Sequence, residues 1–308
     1  MSGAHRFPGR AMFPRGPRCY PRLATARPGV FMDIGILGPL LVSADDRSET
    51  VELAPKPRTV LALLVANAGR LIPVSSLVRE VWNGFPPASS LRNIQTYVFQ
   101  SRKALTQING MPLREVGQEL ILTRPGGYMF SDSVARFDHR DYLQLAERGR
   151  DALRTGAVGE GTDVFARALA LWRGPAFVDT VMGPALEARR RHLEESRLGV
   201  VESLCAGRIE LGHYHEALSD LSASVSEHPL HEGLHLQYMR VLDILGSRAQ
   251  ALEAYHRLRL NLVTELGIEP GAPVQRLQQR ILNATDMNRT APHPPTGMMT
   301  PVARQTAV

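Results

Sequence analysis

The chain is poor in cysteine, has no long apolar run, and lacks acid in two places, and each shortage removes a class of protein. Only Cys19 and Cys205 occur in 308 residues, too few for a disulfide framework; a reducing cytoplasm suits them. No apolar run approaches the roughly 20 residues that span a bilayer, so no membrane partner is expected. The pattern G-x-x-x-x-G-K-[ST] is missing, and with it the phosphate cradle of a nucleotide switch. No other motif asks for a cofactor. Acids are missing from residues 1–32 and again between Glu80 and Glu115.

The first acid-free window explains the net charge of +6 without nucleic acid. Arg6, Arg10, Arg15, Arg18, Arg22 and Arg27 all lie there, and without these six the 36 Lys and Arg fall to 30, against 30 Asp and Glu. Residues 1–31 lack the apolar stretch of a signal peptide and the periodicity of an amphipathic targeting helix. They read as a disordered leader, with Met32 as the expected true start; a basic arm that binds DNA nonspecifically is the alternative.

The second window carries Arg92, Arg102, Lys103 and Arg114 with no acid to offset them. Leu91, Ile94, Val98, Ser101 and Leu105 recur at helical spacing, which predicts a helix with this stripe toward a core. Ser89 and Ser90 can cap its start. The opposite face then carries Asn93, Thr96, Gln100 and Lys103, with Arg92 and Phe99 on the flank. Such a face attracts phosphate. After a polar break at 106–112, two strand-like runs, 119–123 and 128–130, flank the turn Arg124-Pro125-Gly126-Gly127, which reads as a hairpin. Upstream, 55–68 is an apolar-periodic helix ending at Gly69 and 75–82 a shorter one. Helix, short helix, basic helix and hairpin is the order of a winged helix-turn-helix. Strand-like segments at 34–42 and 51–53 precede it, as in the OmpR-type variant.

Arg124, at the hairpin tip, is placed on a phosphate or in the minor groove, a solvated turn residue being the alternative. Arg102, nearer the apolar stripe than Lys103, is expected to grip phosphate from the helix shoulder. Trp82 and Trp172 have apolar helical neighbours and read as core.

The second half repeats. Leu211-Gly212-His213-Tyr214-His215-Glu216-Ala217-Leu218 aligns with Leu245-Gly246-Ser247-Arg248-Ala249-Gln250-Ala251-Leu252 at a spacing of 34, the period of tetratricopeptide helix pairs. Helical segments at 138–154, 162–172, 184–205 and 273–282 complete an all-α repeat domain over residues 138–283. Residues 284–308, with prolines and no apolar period, read as a disordered tail. The fold class is therefore mainly α: an N-terminal winged helix-turn-helix (α+β) over 32–133 and a tetratricopeptide-like domain after it.

The motifs Leu37-Gly38-Pro39-Leu40, Leu122-Thr123 with Gly127-Tyr128, Leu171-Trp172-Arg173-Gly174-Pro175, His228-Pro229-Leu230-His231-Glu232 and Glu265-Leu266-Gly267-Ile268-Glu269-Pro270 stand in an order that resembles the Streptomyces antibiotic regulatory protein family, whose second half is a bacterial transcriptional activation domain. The resemblance covers about residues 32–282. It implies a pathway-specific transcriptional activator of a secondary-metabolite cluster, neither an enzyme nor a cofactor binder. The implied partners are double-stranded DNA with direct repeats near a promoter, RNA polymerase holoenzyme, and a second copy beside it on the DNA; the implied location is the cytoplasm, at the nucleoid. DNA-binding roles fall to Arg92, Asn93, Thr96, Phe99, Gln100, Arg102, Lys103 and Arg124.

The chain departs from the family in that helix, where the usual Tyr-Val-Ser-Arg-Leu-Arg-Arg is Tyr97-Val98-Phe99-Gln100-Ser101-Arg102-Lys103. Glutamine pairs bidentately with adenine where arginine favours guanine, so Gln100 is expected to shift base preference. Ser101 replaces a core leucine, at an expected cost of about 1–3 kcal/mol unless neighbours fill the space. Two other readings stay open: a repeat scaffold with a merely structural winged helix, or a repressor. A remote third comes from His231-Glu232-Gly233-Leu234-His235, which matches the zinc-peptidase pattern H-E-x-x-H, with two histidines on one helix face and a glutamate as base. His213 and His215 read as solvated, and so does the run Arg189-Arg190-Arg191.

Overall fold

The computed structural model describes residues 32–44 and 47–289; the leader and most of the expected tail lie outside them. The first half opens with three short strands, β1 (Met32–Gly35), β2 (Leu41–Ala44) and β3 (Arg47–Thr50). The expected strand at 34–42 is broken in the middle, where the chain turns at Gly38-Pro39 so that β1 and β2 pair antiparallel, Asp33 opposite Ser43. The strand expected at 51–53 lies earlier, as β3, because the antiparallel register with β2 ends at Thr50, opposite Leu41.

Helix α1 (Pro55–Ala66) follows, with proline in its first turn, where no N–H is missed. Nine of its twelve residues are buried: it runs through the middle of the molecule and is covered on several sides, which is why its apolar residues are nearly continuous. Next come β4 (Ile72–Pro73), α2 (Val74–Trp82), α3 (Ser90–Asn109), the short α4 (Leu113–Glu115), β5 (Ile121–Arg124) and β6 (Gly127–Phe130). A wide helical turn, Val116–Leu120, occupies residues where a strand was expected from 119. Val116 and Leu120 are both buried, and this spacing of four is met by a turn of helix before the chain becomes extended. Strands β5 and β6 form the wing, with Arg124 opposite Gly127 and Gly126 at φ +81° carrying the turn. β4 holds the wing from the other side, Ile72 against Tyr128.

Strand β7 (Ala135–Phe137), unforeseen, pairs in parallel with β1, Met32 opposite Ala135 and Ile34 opposite Phe137. It completes a sheet of order β3-β2-β1-β7 and leads straight into α5 (Asp138–Arg154). The repeat half continues with α6 (Val158–Leu169), α7 (Pro184–Glu210), α8 (Tyr214–Glu227), α9 (Glu232–Ile244), α10 (Arg248–Leu266) and α11 (Ala272–Arg289). The aligned repeat segments fold alike: His213 N donates to Arg208 O and Ser247 N to Leu242 O, each at 2.8 Å, and Ala217 and Ala251 are both fully buried. Helix α11 runs on past 283 to Arg289.

The two halves share one core. A single cluster of buried side chains extends from Met32 to Leu204, through α1, the wing, α5, α6 and α7. Two smaller clusters lie under α8–α11.

Candidate nucleic-acid interface

Helix α3 presents two faces of opposite character. Ile94, Val98, Ser101 and Leu105 are buried at 1% exposure or less, as their spacing predicts. Leu91 departs from the expectation: in the first turn of the helix, it is 63% exposed. Ser101 shows how a polar group replaces a core leucine. Its hydroxyl donates to Tyr97 O at 2.9 Å and lies 3.4 Å from Pro57 O, so α1 comes close where a leucine would need room.

On the outward side Arg92, Thr96, Gln100 and Lys103 are exposed, and Phe99 is 52% exposed. Asn93 is half-buried, its Nδ2 donating to Ser89 Oγ at 3.2 Å, and Thr96 Oγ1 donates to Arg92 O at 3.2 Å; both bonds steady the first turns. Arg124 is exposed at the wing tip. Exposed Arg79 in the last turn of α2, and exposed Lys56, 5.2 Å from the centre of the Trp82 ring, add cations that sequence reasoning passed over. Trp82 is half-buried and stacks on Tyr97 at 6.1 Å. Trp172 is half-buried too, edge-on to Tyr142 at 5.3 Å.

The expectation for Arg102 requires correction. Its Nε and Nη2 donate to Ile121 O at 3.1 and 2.6 Å, and Nη2 also donates to Thr123 Oγ1 at 2.8 Å. Burial lowers its pKa, with the Tyr128 charge acting the other way. The guanidinium thus braces β5, the first wing strand, against α3 instead of extending outward from the helix shoulder. Arg102→Ala is expected to destabilise the protein by about 1–2 kcal/mol. It should also weaken DNA binding without lowering the salt slope by the full unit that loss of a phosphate contact produces. Affinity measured at several salt concentrations checks this.

Glu80, the border of the acid-free window in the sequence, is a buried acid that joins the two halves. Its carboxylate is 4% exposed and turns away from α3 into the repeat half, where Oε1 accepts from Gly183 N at 2.8 Å and Leu186 N at 3.0 Å and Oε2 from Ala185 N at 2.8 Å. The acid that borders the acid-free window is thereby spent on the start of α7. The signal in the sequence was an acid three residues after Leu77, on the face that must be buried.

Similar contacts run along the whole junction. Asp138 accepts from Ile36 N at 2.9 Å, Leu37 N at 3.0 Å and Arg173 Nη2 at 3.1 Å; burial nonetheless pushes its carboxyl above the ordinary range, against those three donors. Asp179 accepts from Leu40 N at 3.0 Å and pairs with Arg58 at 3.3 Å. Thr59 Oγ1 donates to Val181 O at 2.6 Å. Phe177 is a buried non-glycine residue at φ +57°, a conformation costing roughly 1–2 kcal/mol, held where its N–H reaches Ile36 O at 3.0 Å. The Arg189-Arg190-Arg191 run is only partly solvated: Arg189 Nη2 donates to Ala66 O at 3.1 Å, at the C-terminal end of α1, and Arg190 pairs with Glu187.

The H-E-x-x-H letters serve the repeat. His231 caps α9, its Nδ1 accepting from Leu234 N at 3.2 Å. His235 is buried with Nδ1 3.1 Å from His231 O, and burial lowers its pKa. Glu232 accepts from Gly271 N at 2.5 Å, tying α9 to the start of α11. Each side chain of the motif has its own structural partner. No helix among the described residues is long and apolar enough to cross a membrane.

Two family models match the chain: "Bacterial transcriptional activator domain" over residues 137–282 and "Transcriptional regulatory protein, C terminal" over residues 48–130. Regulatory protein DnrI of Streptomyces peucetius is 39% identical over 265 residues, 86% of this chain and 97% of that protein. Transcriptional regulator RedD of Streptomyces coelicolor is 31% identical, covering 82% of this chain and 71% of RedD. A solved structure of Mycobacterium tuberculosis EmbR, in complex with a low-affinity phosphopeptide, superposes with a TM-score of 0.72 at 29% identity over 82% of this chain and 65% of EmbR.

Proposed function

Because the chain belongs to the Streptomyces antibiotic regulatory protein family, an OmpR-type winged helix joined to a bacterial transcriptional activator domain, we propose that this DNA-binding transcriptional activator switches on a secondary-metabolite cluster by binding direct repeats beside its promoters. It acts in the cytoplasm on chromosomal DNA. Two copies lie head to tail about one helical turn apart, each with α3 in a major groove, and the repeat half meets RNA polymerase. The observation that carries this reading is the outward face of α3. Gln100 and Lys103 are exposed there beside Arg92 and, across the wing, Arg124, while Glu80, at the edge of the acid-free window, is turned inward.

The roles divide by chemistry. Gln100 offers a bidentate donor and acceptor to an adenine edge, whereas Lys103, Arg92 and Arg124 meet phosphates. Asn93 and Thr96 lie on the same side with their polar atoms partly engaged, and Arg102 contributes through the wing. Gln100→Ala is expected to lower affinity for the preferred repeat by about 1–3 kcal/mol and to relax base preference at one position. Lys103→Ala should weaken all sequences alike and reduce the salt slope by about one. Uniform loss in both variants would remove base reading from Gln100.

Footprinting of the purified protein on the promoters of its neighbouring genes, with salt titrated, tests the whole reading. Protection of tandem repeats beside a promoter element is expected. No specific footprint at low salt would leave the scaffold reading in its place.

A further inference from the structure

The outward face of α3 carries one large apolar side chain among polar ones. Phe99 is 52% exposed, at the middle of a helix running from Ser90 to Asn109. One turn to either side lie Gln95, Thr96 and Lys103, all exposed, and Gln100 follows it directly. Among the described residues no aromatic ring or cation is stacked on the phenyl group. Arg102, three residues on and able to cover the ring, is turned to Ile121 O and Thr123 Oγ1. The ring does not complete the core either, because Ile94 and Val98 fill the buried side at 0% and 1% exposure.

In the major groove the one apolar group on a base-pair edge is the thymine C5-methyl; cytosine presents an amino group with hydrogen at C5, and the purines present acceptors and donors. Resting on the proposed docking of α3 in the major groove, we infer that Phe99 is a specificity-determining residue that packs on a thymine C5-methyl, next to the base pair read by Gln100. The ring loses its exposed apolar surface only on DNA that offers a methyl there, which makes the contact a discriminator between thymine and cytosine. With adenine favoured by Gln100, the two departures at 99 and 100 move the preferred repeat toward A·T pairs.

The test removes the methyl and nothing else. Duplexes enriched by the wild-type protein from a random-sequence library supply the preferred repeat, and each thymine in it is replaced in turn by deoxyuridine. Affinities are measured for the wild type, Phe99→Ala and Phe99→Ser, with thermal unfolding of the free proteins as the control for folding. At one thymine per repeat, deoxyuridine should weaken wild-type binding about fourfold, the value of one buried methyl-sized group, and should leave both variants unchanged. Restoring a methyl as 5-methylcytosine where cytosine replaces that thymine should recover part of the loss for the wild type alone. Equal responses of the wild type and variants, or no response at any thymine, would overturn the inference while the enriched repeat still upholds specific DNA binding. Failure to enrich any sequence would overturn both.

Discussion

Replacing Glu80 with alanine is expected to lower the free energy of unfolding by about 3 kcal/mol, seen as a lower urea midpoint with the m-value kept. The carboxylate meets three backbone N–H groups at the start of α7, at 2.8–3.0 Å, and the first N–H groups of a helix have no acceptor within it. Pro184 at the first position has no N–H to satisfy, so Glu80 takes the next donors together with that of Gly183. Hydrogen bonds to a charged acceptor are worth about 1.5–3 kcal/mol each when measured singly, and the positive end of the helix dipole adds to them. Three bonds to one group do not sum, and water reaches exposed Ala185 once the side chain is gone, but Gly183 and Leu186 are buried. Glu80→Gln keeps one acceptor oxygen and should cost about half as much. Gly183→Ala attacks the same joint from the other side, because an added Cβ would overlap the Glu80 carbonyl. A Glu80→Ala midpoint within error of wild type would show that the joint does not depend on this acid.

The second large effect is acid sensitivity centred on His139. The ring is 2% exposed, and its Nδ1 has no hydrogen-bond partner among the described residues. Burial, with the Arg189 and Arg140 guanidiniums, lowers its pKa from 6.5 to about 3. Asp138 Oδ1 lies 4.0 Å from Nδ1, beyond hydrogen-bond reach, and its charge is already shared among Ile36, Leu37 and Arg173. The folded state therefore refuses a proton that the unfolded chain accepts between pH 6.5 and 3. Stability from this group is fully present above 6.5 and is lost as pH falls through that window, by about 5 kcal/mol over its whole width. Asp138, raised by burial, works in the opposite sense above the ordinary carboxylate range, so the wild-type curve alone mixes two groups. His139→Leu isolates the histidine: its unfolding free energy, followed by urea titration from pH 7 to 4, should fall less steeply than that of the wild type. Parallel curves would mean that the folded protein accommodates the imidazolium.

Much of the architecture was legible because periodicity reports burial directly. Ile94, Val98, Ser101 and Leu105 lie at helical spacing and are buried; the two repeat segments align by residue and fold with equivalent turn bonds. What escaped were features whose cause lies far away in sequence. Strand β7 is three residues long and gains its partner from β1, about a hundred positions earlier, so nothing local announces it. Glu80, Asp138 and Asp179 are acids that a composition count treats as surface, while their acceptors are spent on backbone donors across the junction. Helical angle puts Arg102 on the shoulder of α3 and leaves its reach open; an arginine is long enough to bend to the wing, where it donates to the carbonyl of Ile121. Leu91, placed in the apolar stripe, is exposed, since a helix stripe reports burial only where another element reaches it. On the interface itself, exposure of Gln100, Lys103 and Phe99 follows from the same periodicity that buries their neighbours.

Because β7 belongs to the sheet of the first half and its next residue begins the first helix of the second, the chain passes from one half to the other without a linker. Helix α3 and the first helices of the repeat domain are packed on one continuous buried core. On DNA, the side of the duplex on which the repeat domain stands is then set by the phase of the double helix at the bound site. A site displaced by half a turn, about five base pairs, carries that domain to the opposite side of the DNA with no swivel to bring it back.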